Sequence, residues 1–454
     1  MRALCLVASF VVIIFLISNS IQMTSIRQFI QRHQTNLLRA SFVVLVLYWV
    51  LVLFANWKSS VDILTYASFS MGDLMINYEG GFVRRGLMGQ LLLELYNWHP
   101  FPLREMVIAL VLISVVSFIL LIVRLYISER WSLVSLSAIP FLGFAIAYYY
   151  IFRRDFIILI AVYGIFYVLS RYWKKATFVR WLCFQSLAVL CILSHEATFF
   201  FMIPIMMLVH WYRLKIGNED ILSAARSMLL LFMIPFMAMV ACVIFKGDAD
   251  TVAAIWKSWE PCMNKYPLPG DITDPSNGIN ALLWDTLNTF ESHFKRNFTT
   301  AFWPAFPFIP SFPFLLLGYF IVYFLVVKMN TVDLNWHPLS TFDETLMSNV
   351  LLLQFIFLLP MFTVLSCDVN RVTTYWIFSS LFAFHFFKDR RLYPKCLTRF
   401  SNSILQKLSS CRILKSPWLY MFLVWALPMG HTDGPTIYTP VIVKILLGLV
   451  SVFM

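Results

Sequence analysis

Apolar runs, each near the length of a bilayer core, alternate with short polar clusters along almost the whole chain. Runs at 41–55, 105–123, 132–150, 156–170, 227–245, 314–327, 349–366, 374–387, 417–429 and 441–454 predict membrane-crossing helices. A helix needs roughly 20 apolar residues to cross, and lipid offers its backbone no other partner than itself. Residues 181–211 form one apolar run of hairpin length, interrupted near its middle by Ser194, His195 and Glu196, which predicts two helices meeting at a polar tip. The expected fold is therefore all-α: a polytopic helical membrane protein of about 10–12 spans, with re-entrant or interfacial helices. It forms a single membrane domain over residues 1–454.

The exceptions to this alternation are few. Residues 3–18 are apolar behind Arg2 and read as a span or a signal-like segment, with Met23 as a second start. Residues 246–300 are the one long polar stretch, and they are expected to form an extracytoplasmic insertion. Pro261, Pro267, Pro269 and Pro275 predict that it begins as loop, with an amphipathic helix over 279–296. The stretch FWPAFPFIPSFPF at 302–314 is too rich in proline for a regular helix start and is expected to lie along the interface.

Composition sharpens the class. The chain is 60% hydrophobic and 13% charged, where a soluble protein carries about a quarter charged residues. The net charge of +12 comes from clusters between the spans rather than from a basic face with interleaved aromatics, so nucleic acid is not an expected partner. Placing Arg27, Arg32 and Arg39 inside gives 21 Lys/Arg against 7 Asp/Glu on inner segments, and 13 against 16 on outer ones. That bias is the positive-inside rule, and it fixes the expected orientation. Eight scattered cysteines show no zinc spacing; the one disulfide that the topology allows joins Cys262 to Cys367 on the outer side.

This orientation sends four charged clusters to the outer side, each at or near a span end: EGGFVRRG (79–86), FRRDF (152–156), SHEAT (194–198) and CDVNR (367–371). Charge is costly near lipid unless something uses it. Arg84, Arg85, Arg153, Arg154 and Arg371 run against the topological bias, and a guanidinium fork matches phosphate oxygens two at a time. They are the candidate phosphate ligands. Gly80, Gly81 and Gly86 would let backbone amides approach the same anion. The bland reading is that these arginines pair structurally with Asp73, Glu79 and Asp155, or snorkel to headgroups.

Candidate bases are His195 and Glu196, adjacent at the membrane boundary where burial raises a carboxyl pKa, with Glu79 and Asp73 as rivals. Asp73 reads equally well as a helix N-cap, and Asp368 as a partner for Arg371 three residues on. Acidic residues of the polar stretch (Asp248, Asp250, Glu260, Asp271, Asp274, Asp285) have no spacing that points to a metal; no cofactor is expected, a divalent cation staying open. Hydrolase, metalloprotease, nucleotide-binding and dinucleotide-binding motifs are missing.

Taken together, YEGGFVRRGL, FRRDF, SHEATFF and CDVNR on a polytopic frame resemble the GT-C-like glycosyltransferases and the bacterial O-antigen or capsule repeat-unit polymerases. The chain departs from the GT-C pattern in lacking a paired acidic motif in its first outer loop, since Asp73 and Glu79 stand six residues apart. The resemblance implies an enzyme of the bacterial inner membrane with its site facing the periplasm. It implies a polyprenyl-phosphate or -pyrophosphate sugar as donor and a glycan as acceptor. A chain-length regulator or another polysaccharide-assembly membrane protein is implied as a further partner. A side-chain glycosyltransferase and a transporter or flippase for a lipid-linked anion are the competing expectations; the transporter needs charge near mid-membrane, whereas here it lies at span ends.

Overall fold

The computed structural model describes residues 24–66, 68–137, 151–263, 277–284, 286–298, 301–303, 306–310, 312–335, 339–366, 369–411, 414 and 416–426. The expected first segment (3–18), most of the run at 132–150 and the last run (441–454) lie outside them.

The protein is an all-α polytopic membrane protein. Its long apolar runs form α1 (Thr24–Ile63), then after a short α2 (Phe69–Met75) and α3 (Gly86–Trp98) the helix α4 (Leu103–Glu129). A 3-10 turn (Leu133–Ser137) stands where the run at 132–150 begins. The next four helices are α5 (Asp155–Lys174), α6 (Phe178–Ser194), α7 (Thr198–Ile216) and α8 (Ile221–Ile244). Among the described residues, five helices (α1, α4, α5, α7 and α8) are long and apolar enough to cross a membrane. The expected hairpin at 181–211 is α6 and α7, broken at His195–Ala197.

The polar stretch departs from expectation. It opens not as loop but as α9 (Ala249–Met263), with Pro261 tolerated in its last turn. Asp248 starts this helix, its carboxylate accepting the Thr251 amide at 2.8 Å, a capping contact that outweighs the proline signal. The amphipathic helix follows as α10 (Thr286–Phe298), later than expected, behind a 3-10 turn at Asn280–Leu283. The proline-rich run forms an antiparallel pair, β1 (Ala301–Trp303) and β2 (Phe306–Pro310), before α11 (Phe312–Met329). Then come α12 (Glu344–Phe357), a π turn (Met361–Leu365), α13 (Val369–Phe386), α14 (Lys395–Ser410) and α15 (Pro417–Ala426). Here α14 makes a helix of what reads in the sequence as an inner loop; Leu397, Ile404, Leu405 and Leu408 recur at helical spacing and turn inward.

Aromatic packing and a few polar ties join the bundle. Phe118 of α4 meets Phe156 of α5 and Phe378 of α13 at ring distances of 5.5 and 4.8 Å. Phe201 of α7 stacks on Tyr375 of α13 at 4.0 Å. Gln354 of α12, fully buried, donates to both the Phe201 carbonyl and Ser379 Oγ at 2.8 Å, joining α7, α12 and α13. A buried amide that found no partners would cost on the order of 1–3 kcal/mol, so such a residue fixes the relative placement of helices as well as stabilising it.

Candidate functional site

Alternating chain direction puts the ends of several helices together. α5 begins, α6 ends, α7 begins, α8 ends and α13 begins at one end of the bundle, and α2, α3 and α9 pack over it. Three of the four charged clusters meet there by direct contact, and the fourth joins through Arg371.

Arg154 is the hub. Its side chain is 1% exposed. Nε donates to Asp73 Oδ2 at 3.1 Å and Nη1 to the Arg85 carbonyl at 3.2 Å. Nη1 also reaches the Ser194 carbonyl, and Nη2 that of Asp73. With four of a guanidinium's five N–H bonds spent on the protein itself, Arg154 ties α2, the loop before α3 and the C-terminal end of α6. In this arrangement it acts as a structural tie, its N–H groups engaged by the protein rather than turned toward the phosphate expected of it. Its partner Asp73 is likewise no N-cap: Ser68 caps α2, and Asp73 lies inside that helix.

Arg85 holds the second tie. Nε reaches both oxygens of Glu196, at 3.0 and 2.9 Å, and Nη2 reaches Oε1 at 2.5 Å. Its Nη1 stands 3.6 Å from Asp73 Oδ1, an ion pair beyond hydrogen-bond range that leaves that oxygen without a hydrogen-bond partner. Arg85 takes φ 65°, a left-handed backbone that costs a non-glycine residue about 1 kcal/mol or more, at the N-cap of α3. Arg84 is the least committed. Its Nη1 lies 3.9 Å from Glu196 Oε1, its buried Nε has no hydrogen-bond partner, and its side chain is 25% exposed.

Arg371 and Asp155 form a bidentate pair at 3.0 and 2.6 Å, with Tyr375 Oη donating to the same carboxylate. Asp155 thus serves Arg371 across helices as well as lying beside its chain neighbours. Asp368 lies outside the described residues. Arg153 is buried, with its guanidinium over the Phe69 ring at 5.1 Å.

The expected bases are not poised as raised carboxyls. Burial alone would lift Glu196, but the Arg85 guanidinium overrides it and holds the carboxyl well below its usual range. For Asp73, burial is outweighed by Arg154 and then Arg85, holding it at about 2. His195 is pushed down to about 3, first by burial and then by Arg85. Its Nδ1 accepts the Ala197 amide at 3.2 Å and stands 3.7 Å from Glu196 Oε2, so the neutral ring carries its proton on Nε2. Glu79 is exposed and accepts from Gln90 at 3.4 Å rather than from an arginine.

The glycines divide. A Cβ on Gly80 would sit 2.7 Å from the Thr251 Cα, and one on Gly86 would strike the Tyr78 ring, so both are close-packing positions. Gly81, at φ 101°, faces open space, while its amide already donates to the Tyr78 carbonyl at 2.9 Å.

Several contributors carry no motif in the sequence. Asn77, fully buried, donates to Ser258 Oγ at 2.8 Å, and the Trp259 indole donates to the Met75 carbonyl at 2.8 Å, so α9 braces α2 and the arginine loop from below. Phe82 and Phe245 bound the loop on its open side. The one signal that could have found Asn77 and Gln90 is their polarity within a stretch flanked by apolar residues. Cys262 is a free thiol, and Cys367, the partner that the topology allowed it, lies outside the described residues. Among the described residues no group of three His, Cys, Asp or Glu gathers as metal ligands would. No protein-family model matches the chain, and neither a curated protein nor a solved structure does.

Proposed function

We propose that the protein is a membrane glycosyltransferase acting on polyprenyl-phosphate- or -pyrophosphate-linked sugars, with surface-polysaccharide repeat-unit polymerisation as its reaction. The observation that carries this reading is the charge of the converged cluster. Five arginines (Arg84, Arg85, Arg153, Arg154, Arg371) face three carboxylates (Asp73, Asp155, Glu196) among the described residues, at the edge of a membrane bundle. Guanidinium groups left partly open at the end of apolar helices, Arg84 above all, complement an anionic headgroup on a lipid tail. Because the charges sit at helix ends rather than mid-membrane, the reading favours an enzyme over a transporter. We place the site on the periplasmic face of a bacterial inner membrane, from the positive-inside bias of the sequence.

In this mechanism the donor phosphates bind Arg84 and Arg85, the two guanidinium groups with the most exposed surface in the cluster. A phosphate on Arg85 competes with Glu196, and as that pairing loosens the carboxylate regains basicity. Glu196 then takes the proton from the acceptor hydroxyl as its oxygen attacks the anomeric carbon. The bond from that carbon to the phosphate oxygen breaks, and its electron pair leaves on the phosphate. The arginines stabilise the charge that develops there, where preorganised donors contribute most to rate. Arg154, Asp73, Arg371 and Asp155 hold the frame.

The test is the lipid-linked glycan profile of cells carrying Arg85→Lys or Arg85→Ala. Loss of long chains, with single repeat units accumulating and the protein still in the membrane, is the expected result. Complete chains lacking one branch would turn the reading to a side-chain transferase, and normal chain length in both variants would discard it.

A further inference from the structure

Beside the arginines lies an aromatic surface that the reaction above leaves unused. Tyr78 and Phe82 stack with ring centroids 5.5 Å apart and planes 16° from parallel. Phe82 in turn meets Phe245, at the C-terminal end of α8, edge to face at 5.4 Å. The group is held in place from both sides. The Arg84 amide donates to the Phe245 carbonyl at 2.9 Å, and the Tyr78 amide donates to Gln90 Oε1 at 2.8 Å. Despite this fixation the outer rings stay open, with Phe82 40% and Phe245 48% exposed. Gly81 beside them has nothing within 4 Å of where a Cβ would stand.

We propose that Phe82, flanked by Phe245, is a stacking platform for the sugar ring attached to the phosphate that Arg84 and Arg85 hold. This rests on the glycosyltransferase reading and deepens it by naming the sugar subsite. Three observations favour a sugar over a lipid tail as the occupant. The platform is continuous with the cationic groups, since Phe82 and Arg84 share one loop and Arg84 is bonded to Phe245. A donor's first sugar is likewise one linkage from its phosphate. Charged groups border the platform: Arg84, two residues from Phe82 and bonded through its amide to Phe245, stands 3.9 Å from Glu196, where a polyprenyl tail would want none. The electron-rich face of an aromatic ring attracts the C–H face of a pyranose, a contact that needs an exposed, rigidly held ring rather than a deep slot.

The test uses the purified full-length protein in lipid nanodiscs and two probes. One is polyprenyl diphosphate; the other is the lipid-linked sugar that accumulates in cells lacking this chain. Phe82→Ala is expected to weaken binding of the sugar-bearing lipid by about tenfold, as a stacking contact of this kind contributes. Its binding of polyprenyl diphosphate should stay within about twofold, a change of under half a kcal/mol. Phe82→Trp should restore the first without altering the second. Unchanged thermal unfolding of Phe82→Ala confirms that a half-open ring was removed without damage to the fold. Equal weakening toward both probes, or none toward either, overturns the platform while leaving the arginines' role intact. If the unaltered protein binds neither probe, the glycosyltransferase reading falls and the platform falls with it.

Discussion

At the scale of single residues, the candidate site is defined by how its charges are compensated. A buried ion pair is weak support for stability, because desolvation offsets most of its attraction, yet removing one partner is costly. The same balance makes acid a direct probe. His195 is held at about 3, against an ordinary value of 6.5. Between those values the unfolded chain takes up a proton that the folded chain refuses. Stability is therefore full above pH 6.5 and is lost as pH falls toward 3, by about tenfold in the folding constant per pH unit for one such group. Asp73, lowered from 3.8 to about 2, adds a second loss in the same direction below pH 3.8. Thermal unfolding of the detergent-solubilised protein between pH 7 and 4 should show this slope, and His195→Gln should flatten it. A flat profile in the unaltered protein would mean that the imidazole is not buried as described.

At the scale of elements, Arg154 explains how residues eighty positions apart come to share a site. It carries the N-terminal end of α5 to Asp73 on α2, the Arg85 carbonyl before α3 and the Ser194 carbonyl that ends α6. Replacing it by Met removes all four bonds and leaves the Asp73 carboxylate, 5% exposed, with the Arg85 ion pair at 3.6 Å but no side-chain hydrogen bond from Arg154. The expected cost is about 3–5 kcal/mol, read as reduced thermal stability and reduced protein in the membrane. Arg154→Met combined with Asp73→Asn should recover part of that loss, since the buried carboxylate that lost its main partner is then gone; additive losses would deny the coupling. Sequence reasoning reached this region but not this division of labour. The pattern of apolar runs predicts α4, α5, the α6–α7 hairpin and α8 because hydrophobic length is a local property. That FRRDF and SHEAT come near YEGGFVRRG follows from counting span ends. Which arginine is a tie and which is open does not follow, because FRRDF offers Asp155 as the local partner while packing gives it to Arg371. The polar stretch departs for a similar reason: Pro261 sits inside α9 close to Met263, where it removes one backbone bond without preventing the helix.

At the scale of the whole molecule, the bundle has two chemically different ends. The end opposite the site carries Lys174, Lys175 and Arg180 between α5 and α6, and Arg213 and Lys215 at the close of α7. It also carries Lys388 and Arg390 after α13, pairing with Glu129 and Asp343. These positive residues belong to short connections, where charge directs insertion, whereas the arginines of the site are paired, buried or aimed at one another. The orientation they predict can be read without any substrate. Cys396 on α14 is exposed at the basic end, and Gly81 is open at the site end. In a chain stripped of its other cysteines, Cys396 should resist a membrane-impermeant thiol reagent in intact cells once the outer membrane is permeabilised, and react after lysis. A chain whose only cysteine is introduced by Gly81→Cys should react before lysis. The reverse pattern would put the arginines in the cytoplasm, within reach of nucleotide sugars, and remove the reason for assigning them a polyprenyl-linked donor. Labelling in the expected pattern puts Arg84 and Arg85 on the side away from cytoplasmic nucleotide sugars, which is what the proposed lipid-linked donor requires.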